Sequence, residues 1–385
     1  MKLAFQLAYK NLIGAGLRTW LNVGVLAFAF LVIIFYNGIL DGWNLQAKHD
    51  TIAWEFGNGQ LLNANYDPYD PFSIQDGHGV LNNTAHLTPI LIQQASIYPE
   101  GRMLPILLNG IDENQTTLDL PTSMLKTSKE EIPAIIGKIM AENTHLKIGD
   151  QVLLRWRDKN GTFDATNITI VGIFKTTVPT SDKGKIWISI KKLWQMTQLD
   201  NHATMFVADK NYKPSPNKGW IFKSQNELLK DINEMVATKK ISSSIMYLLL
   251  LAIALLAIFD TQVLSVFRRQ KEIGTYIALG MTRSQVVGIF TVEGSMYSIF
   301  AMVVGSIIGI PLFGYLAKTG FTIPTASTSQ NMGLAMAERM FPVFGIQLLL
   351  STVALVVISA TIVSFLPAKK ISKMNPVDAL KGKIQ

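Results

Sequence analysis

The sequence contains no cysteine and few charged residues, and each shortage excludes a class of protein. Without cysteine, the 385 residues hold neither a disulfide framework nor a cysteine-based metal site. Only 16% of the residues are charged, whereas 49% are hydrophobic. This balance is unusual for a soluble protein of this length, so it indicates membrane segments. The length itself fits two or three domains.

Motifs of the common enzyme classes are also missing. No Gly-x-x-x-x-Gly-Lys-Ser/Thr occurs, so the sequence has no P-loop for ATP. It has no nucleophile elbow and no zincin motif. Asp67 and Asp70 lie in a proline-rich stretch, which favours a solvated turn over a carboxylate pair. We therefore expect no catalytic residue in this chain.

Metal binding is not expected either. The five histidines are scattered through the chain: His49, His78, His86, His145 and His202. None has the spacing of a metal-ligand set, so surface or structural roles are favoured. The sequence therefore predicts neither a metal nor a cofactor bound by this chain.

Positive charge is concentrated outside the long polar middle of the chain. Residues 41–243 hold 21 Lys and Arg against 22 Asp and Glu, whereas the remaining residues hold 14 against 5. A basic protein can bind nucleic acid. Here the positive charge borders apolar segments, so anionic membrane lipid is the expected partner and nucleic acid is not.

Four apolar segments are long enough to cross a hydrocarbon core of about 30 Å. They cover residues 20–40, 245–267, 284–316 and 343–366. A cleaved signal peptide is the alternative for the first segment. Its apolar run is too long for one and no Ala-x-Ala site follows, so we expect an uncleaved anchor. Residues 1–19 fit an amphipathic lead-in at the membrane surface.

The distribution of Lys and Arg predicts how the segments are oriented. Residues 1–19, 268–283 and 367–385 carry three, four and five Lys or Arg, whereas the loop 317–342 carries two. Short basic loops stay on the cytoplasmic side, so both termini are predicted to be cytoplasmic. Residues 41–243 and 317–342 are then periplasmic. The predicted fold is an α-helical membrane protein with a large mixed α/β extracytoplasmic domain.

The α/β domain is predicted from alternating runs that turn signals separate. The predicted strands are Ile90–Ile97, Leu104–Asn109, Gln151–Trp156, Asn167–Phe174 and Ile186–Ile190. Residues 130–145 fit a helix with Pro133 in its first turn. A second helix is predicted from Glu227 to Lys240, leading into the second apolar segment.

The loop 268–283 has an internal pattern of its own. It sets four basic residues against one acid, Glu272. Ile273, Ile277 and Met281 recur at helical spacing, which predicts a short amphipathic helix across the membrane ends. Gly280 fits the end of that helix, because glycine adopts the left-handed conformation at little cost. Such a helix either presents itself to a cytoplasmic partner or rests on lipid headgroups, and the pattern leaves both open.

The same loop resembles a known family. Glu272-Ile273-Gly274, followed by Ala278-Leu279-Gly280-Met281-Thr282-Arg283, is similar to the E-I-G-x-x-x-A-L-G-x-x-R loop of FtsX-like ABC transporter permeases. Pro367-Ala368-Lys369-Lys370 and the later Pro376-Val377-Asp378-Ala379-Leu380 resemble the family's C-terminal ending. The family includes the MacB membrane domain and the LolC and LolE subunits.

In that family the loop is a coupling helix that docks into a cytoplasmic ABC ATPase, which binds ATP and Mg. The resemblance therefore implies that ATP hydrolysis occurs on a partner subunit. It implies an ATPase-coupling role for Arg268, Arg269, Lys271, Glu272, Ile273, Gly274, Ile277, Ala278, Leu279, Gly280, Met281 and Arg283.

Pieces of the α/β domain resemble the LolC/LolE-like branch most. Phe56-Gly57-Asn58-Gly59-Gln60-Leu61 is similar to its G-H-I-Q-I stretch, although Asn58 replaces the usual His. Ile136-Gly137-Lys138-Ile139-Met140-Ala141 is similar to its I-G-x-x-L-A. The resemblance implies a MacB-like periplasmic domain with Porter-like and Sabre-like subdomains.

The implied function is that of a permease subunit in the bacterial inner membrane, working by mechanotransmission in lipoprotein release toward the outer membrane. A second permease subunit, identical or related, is then a partner, with a periplasmic lipoprotein carrier or adaptor. MacB-like tripartite export of periplasmic cargo is an alternative. A second alternative is an FtsX-like regulator of cell-wall hydrolases. A structural anchor would not need the loop.

Two acids and two glycines stand out within the apolar segments. Asp260 and Glu293 fall in the predicted cytoplasmic half of the bilayer, where a charge costs a few kcal/mol unless paired or hydrated. They fit either a polar node that senses the coupling helix or protonated acids near the headgroups. Gly305 and Gly309 allow close helix packing, within the chain or between two copies.

Overall fold

The computed structural model describes residues 16–322 and 339–373, which form two compact units. The helical unit comprises residues 16–43, 235–321 and 340–373, and the α/β domain comprises residues 44–234 with residues 322 and 339. The N-terminal lead-in predicted over residues 1–19 lies almost wholly outside the described residues. The same holds for most of the 317–342 loop and of the C-terminal tail.

The elements follow one another in this order. The first half contains α1 (Leu17–Thr51), β1 (Gly59–Asn63), β2 (Leu87–Ile97), β3 (Leu104–Ile111), α2 (Ser123–Thr127), β4 (Pro133–Gly137), α3 (Lys138–Thr144), β5 (Gln151–Arg157) and β6 (Phe163–Phe174). The second half contains α4 (Pro179–Asp182), β7 (Lys185–Ser189), α5 (Ile190–Thr197), β8 (Met205–Ala208), β9 (Trp220–Ser224), α6 (Gln225–Leu228), α7 (Lys230–Arg268), α8 (Gln270–Ala278), α9 (Arg283–Thr319), β10 (Phe321–Thr322), β11 (Arg339–Met340) and α10 (Ile346–Lys369).

Within the described residues, four helices are long and apolar enough to cross a membrane: α1, α7, α9 and α10. Each contains or closely matches one predicted apolar segment. Two of them run well past it, because α1 continues to Thr51 instead of ending near Leu40, and α7 begins at Lys230 instead of near Ile245. The apolar window marks only the part suited to hydrocarbon. Polar residues with good helix propensity carry the backbone hydrogen bonds further.

The core of the helical unit is formed by apolar side chains from these four helices. They include Leu26, Phe30, Ile34, Ala254, Ile258, Tyr297, Ala301, Val356 and Ala360. The two glycines of α9 lie against α1. A methyl group on Gly305 would come within 3.0 Å of the Phe30 ring, and one on Gly309 within 2.7 Å of Leu31. In the structure both glycines therefore allow close packing inside one chain.

The α/β domain is built on a nine-stranded sheet in the order β3-β7-β4-β6-β5-β2-β8-β1-β9. β2 also pairs with β3. The first and sixth strands in this sheet order are therefore hydrogen-bonded to each other. β3 pairs with β7, and β4 with β6, in parallel. Each of the five predicted strands overlaps an observed one. β1, β4, β8 and β9 were not predicted, because these strands are short and lack a clear alternation of apolar and polar residues.

The predicted helix over residues 130–145 is wrong in its first half. Pro133–Gly137 forms β4, a fully buried strand between β6 and β7, and only Lys138–Thr144 is helical. Ile135 and Ile136 are β-branched and favour a strand. Pro133 is tolerated because it is the first residue of that strand. Burial between two strands therefore outweighed the apparent helical pattern.

The turn from β4 into α3 is closed by a buried carboxylate. Both oxygens of Asp182 accept hydrogen bonds from backbone N–H groups, those of Ile139 at 2.8 Å and Met140 at 2.9 Å. A methyl group on Gly137 would overlap the Asp182 side chain. Burial raises the pKa of Asp182, and the two donated hydrogen bonds oppose that rise. Glycine at position 137 therefore makes room for an acceptor at the start of α3.

The last residues of α1 and the π turn after it, Ile52–Phe56, are held inside the α/β domain. The Trp54 ring stacks on Phe174 with centroids 5.6 Å apart. The Thr177 hydroxyl donates to Asp50 at 2.5 Å. The Glu55 carboxylate lies 3.8 Å from the Lys185 ammonium. Ring packing, a hydrogen bond and an ion pair thus fix the end of α1 to the segment around residues 174–185.

Candidate functional site

The loop 268–283 contains a short helix, α8, between the two long helices α7 and α9. α8 ends in a left-handed glycine, because Gly280 has a φ of 95°. Its N–H bonds the Ile277 carbonyl at 3.1 Å, and the Met281 N–H bonds the Tyr276 carbonyl at 3.1 Å. This pair of hydrogen bonds is a Schellman motif. The helix stop predicted at Gly280 is thus confirmed.

The next helix begins immediately after this stop. Thr282 precedes α9, and its hydroxyl accepts a hydrogen bond from the Gln285 N–H at 3.3 Å. The Gln285 side chain accepts one in return from the Thr282 N–H at 2.9 Å. This reciprocal capping box defines the first turn of α9. α8 is therefore bounded on its C-terminal side by one stop signal and one start signal.

The apolar face of α8 packs against protein. Ile273 is fully buried in a cluster with Val286 and Phe290 of α9 and Ile371 beyond α10. Ile277 and Met281 pack at the edge of the same cluster. The predicted amphipathic pattern is therefore confirmed. Because its apolar side is already covered by α9 and the segment after α10, the opposite side of α8 is the one left to face outward.

That outward side carries both charge and an exposed apolar residue. Its exposed residues are Arg268, Lys271, Glu272, Thr275, Ala278, Leu279 and Arg283. Leu279, at the C-terminal end of α8, is 79% exposed. A large apolar side chain held outward beside charged residues is available for burial at a protein interface.

Arg269 connects α8 to the long helix α9. Its Nε donates to Glu272 at 2.7 Å, and its Nη1 donates to Glu293 at 2.8 Å. The guanidinium also lies over the Phe290 ring, 4.9 Å from its centroid. Glu293 is buried, whereas Glu272 is half exposed. One arginine thus joins an exposed carboxylate on α8 to a buried one inside the helical unit.

The two intramembrane acids occupy different positions. Glu293 meets the loop through Arg269, as described above. Asp260 lies on the exposed surface of α7.

A layer of polar residues that was not predicted from the sequence crosses the same four helices. We define it as Asn22 of α1, Thr261 and Gln262 of α7, Gly294 of α9 and Ser364 of α10. The Asn22 amide donates to Thr261 and, at 3.3 Å, to the Ala257 carbonyl. A methyl group on Gly294 would overlap Ser364 and lie 3.2 Å from the Gln262 side-chain carbonyl carbon.

Part of this layer lacks hydrogen-bond partners. Gln262 and Ser364 are both fully buried. Within the described residues, neither the two amide atoms of Gln262 nor the Ser364 hydroxyl has a partner. Such groups cost free energy in an apolar environment. A search for amides and hydroxyls as well as for acids within the apolar segments would have found them.

The described residues hold no group of three or more His, Cys, Asp or Glu that could bind a metal ion. Two of the scattered histidines do meet. The Nδ1 atoms of His78 and His202 lie 2.9 Å apart. Burial lowers the pKa of both imidazoles. In the α/β domain, the two neutral rings are therefore joined by a hydrogen bond.

Comparison with known proteins gives a similar protein and a family match. An uncharacterized ABC transporter permease of Methanocaldococcus jannaschii is 25% identical over 132 residues, covering 34% of this chain and 30% of the relative. The chain thus spans about a third of the length of that relative. Residues 244–376, which include the loop 268–283, match the family described as FtsX-like permease C-terminal. This part of the protein is therefore similar to FtsX-like permease C-terminal domains.

Proposed function

We propose that the protein is the permease subunit of an ABC transporter and that its ATPase docks on the outward side of α8. The observation that carries the proposal is the two-sided character of α8. One side is buried against α9 and the segment after α10, and the other presents Leu279 among charged residues. The match of residues 244–376 to an FtsX-like permease domain supports it. ATP and Mg are then bound by the partner.

Arg269 provides the path by which movement of α8 enters the membrane helices. Because its guanidinium holds Glu272 on α8 and Glu293 on α9, a push on α8 is carried to α9. The polar layer lies beside Glu293, since Gly294 is its neighbour in sequence. Unsatisfied groups there raise the free energy of this arrangement, so we expect a second arrangement that offers them hydrogen bonds to be favoured. Bistable packing of this kind converts a small displacement into a discrete one.

α1 and α7 are the expected output of this movement. Both continue past their apolar parts, and the last turns of α1 are fixed to residues 174–185 of the α/β domain. A continuous helix transmits displacement along its axis. This arrangement supports mechanotransmission, in which ATP hydrolysis on one side of the membrane moves a domain on the other. The α/β domain is then periplasmic and both termini are cytoplasmic.

Lipoprotein release is the cargo pathway that we favour, with a second permease subunit and a lipoprotein carrier or adaptor as partners. Its support is the similarity of the α/β domain motifs to the LolC/LolE-like branch. The Gly137–Asp182 contact gives one of these motifs a structural reason. MacB-like tripartite export and regulation of a cell-wall hydrolase are the alternatives. An ATPase gene beside one for a lipoprotein carrier, rather than a periplasmic adaptor, would favour release over export.

Site-directed cross-linking tests the docking site. The chain has no cysteine, so Leu279→Cys creates a single attachment point for a photoactivatable reagent. The matched control is Leu256→Cys on α7, which is also exposed but lies within the apolar part. We expect position 279, and not position 256, to give an adduct with a P-loop ATPase identified by mass spectrometry. If correctly inserted protein gives no such adduct at position 279, the proposed docking site is wrong.

The orientation is tested with the same chain. Thr282 and Asn160 are both exposed and belong to different units. A cysteine at each position is treated with an impermeant maleimide in intact spheroplasts. We expect labelling at 160 and protection at 282 until the membrane is opened. The reverse pattern contradicts a cytoplasmic α8.

A further inference from the structure

A long loop of the α/β domain has features that neither the fold nor the proposed coupling explains. It covers residues 64–86, between β1 and β2, and we call it the acidic aromatic loop. Its 23 residues exceed the usual length of connections in compact domains. Loops of this length that remain ordered are commonly binding loops.

Two aromatic side chains of this loop point into solvent. Phe72 is 86% exposed and Tyr69 is 83% exposed. Phe72 contributes almost nothing to the core, so folding does not explain its exposed ring. Exposed aromatic rings are favoured at interfaces because they bury a large area with little loss of conformational entropy.

The backbone beneath these rings is held in one conformation. The Asp67 side chain accepts from the Tyr69 N–H at 2.9 Å, and the Asp70 side chain accepts from the Phe72 N–H at 3.0 Å. The Ser73 hydroxyl donates to the Asp70 carbonyl at 2.6 Å. These bonds close both turns of the Tyr-Asp-Pro-Tyr-Asp-Pro stretch. A loop organised before binding loses less entropy when a partner arrives.

The loop is anchored to its own domain at two further points. The Gln94 amide of β2 donates to the Pro71 carbonyl at 2.7 Å. The Tyr69 hydroxyl donates to the Asp231 carboxylate at 2.8 Å, and Asp231 lies in the first turn of α7. This hydrogen bond, more than the charge of Asp231, raises the pKa of Tyr69. A partner that contacts Tyr69 therefore contacts a residue that is hydrogen-bonded to a long helix.

The charged side chains of the loop itself, histidines apart, have one sign. No Lys or Arg occurs between residues 49 and 101, whereas the loop itself contains Asp67, Asp70 and Asp76. All three carboxylates are exposed. A membrane surface is anionic and would repel them. A protein surface with Lys or Arg around an apolar pocket is complementary in both charge and shape.

From these observations we propose that the acidic aromatic loop is a docking site for a partner protein, whose apolar pocket receives Phe72 and whose basic rim faces the loop aspartates. The site is separate from the ATPase-docking side of α8. A failed test of this loop therefore leaves the coupling proposal standing, and the reverse also holds.

The chain provides a matched control in Phe163 at the start of β6. Phe163 is 60% exposed, but its ring lies 4.2 Å from the Arg155 guanidinium carbon. It is thus an exposed aromatic residue in basic surroundings. The test places a photo-cross-linking phenylalanine analogue at position 72 or 163 of the full chain in its native host. The adduct is identified, and the protein found is purified for binding measurements with the full chain in detergent.

We expect a protein adduct at position 72 and not at position 163. Phe72→Ala is expected to weaken binding of that protein at least tenfold, whereas Phe163→Ala leaves it unchanged. Asp67 and Asp70 hold the turns, so charge is tested at Asp76. Asp76→Lys and a rise in salt are each expected to weaken binding several-fold.

Four results would overturn the proposal. They are no protein adduct at position 72, adducts there with lipid only, equal adducts at both positions, and binding that Phe72→Ala does not change. Because Phe72 is exposed, its replacement is not expected to unfold the domain. Unchanged thermal unfolding of the variant checks this.

Discussion

Two buried polar side chains, one in each unit of the molecule, differ in whether their polar atoms are hydrogen-bonded. Asp182 of the α/β domain is fully buried, and both of its oxygens accept backbone N–H groups. Gln262 of the helical unit is equally buried, yet neither of its amide atoms has a partner among the described residues. Hydrogen bonds fix the Asp182 side chain in one arrangement. The Gln262 side chain would be stabilised by any arrangement that offered it hydrogen bonds.

The difference fits the roles proposed for the two units. A fully satisfied carboxylate specifies one conformation of the turn around it, which suits a rigid domain that is moved as a whole. An unsatisfied amide between three helices raises the free energy of the present arrangement and favours one that offers hydrogen bonds. Such a group suits a unit that must alternate.

Removing the Asp182 carboxylate should have the largest effect on stability. Asp182→Ala leaves two buried N–H groups without an acceptor, at about 1–3 kcal/mol each. We expect the thermal midpoint of the α/β domain to fall by roughly 10 °C, followed by tryptophan fluorescence of the full chain in detergent. Asp182→Asn keeps one acceptor and should fall less. Equal midpoints for wild type and Asp182→Ala would contradict the capping role.

Glu272→Lys should have a large effect on coupling without an effect on insertion. It removes one of the two carboxylates that hold Arg269 and reverses the charge of the outward side of α8. We expect ATP turnover stimulated by the permease to fall about tenfold, a change of about 1.4 kcal/mol. The control is Glu272→Gln, which removes the charge without reversing it. Full turnover by the Lys variant would contradict a role for Glu272 in coupling.

Gln262→Leu should change stability in the opposite direction from Asp182→Ala. Removing an unsatisfied buried amide should raise the stability of the helical unit by about 1 kcal/mol. The same change should lower ATP-driven transport, because the alternative arrangement loses its stabilising hydrogen bonds. Thermal unfolding and transport are measured on the same preparation, with Gln262→Asn as the polar control. A variant that is less stable, or more stable with full transport, would contradict this interpretation.

The histidine pair should have a smaller, pH-dependent effect on the α/β domain. Burial lowers the pKa of His78 and His202, so the unfolded chain takes up protons first as pH falls. The contribution of the pair is complete above the unfolded pKa of about 6.5 and is lost as pH falls further. We expect the thermal midpoint to decline between about pH 6.5 and 5. His202→Gln should flatten this decline, and exposed His49→Gln should not.

The sequence was sufficient to predict the parts of the molecule that follow local rules. The four apolar helices, five strands and the stop at Gly280 depend on composition, alternation and one glycine. The strand Pro133–Gly137 was missed because burial between two neighbouring strands decided it. The Arg269–Glu293 pair could not be derived either, since it joins residues 24 positions apart through the packing of α8 on α9. The same holds for the contacts of Gly294 and Gly137, which depend on elements distant in sequence.

The most direct test of the account is ATP turnover by the reconstituted complex when only the outward anchor of α8 is changed. Leu279 is exposed, so its replacement leaves the buried side of the helix intact. We predict that Leu279→Asp abolishes co-purification of the ATPase and reduces turnover at least tenfold, whereas Leu279→Met retains both. An intact, fully active complex containing Leu279→Asp would contradict the claim that the ATPase acts on the protein through α8.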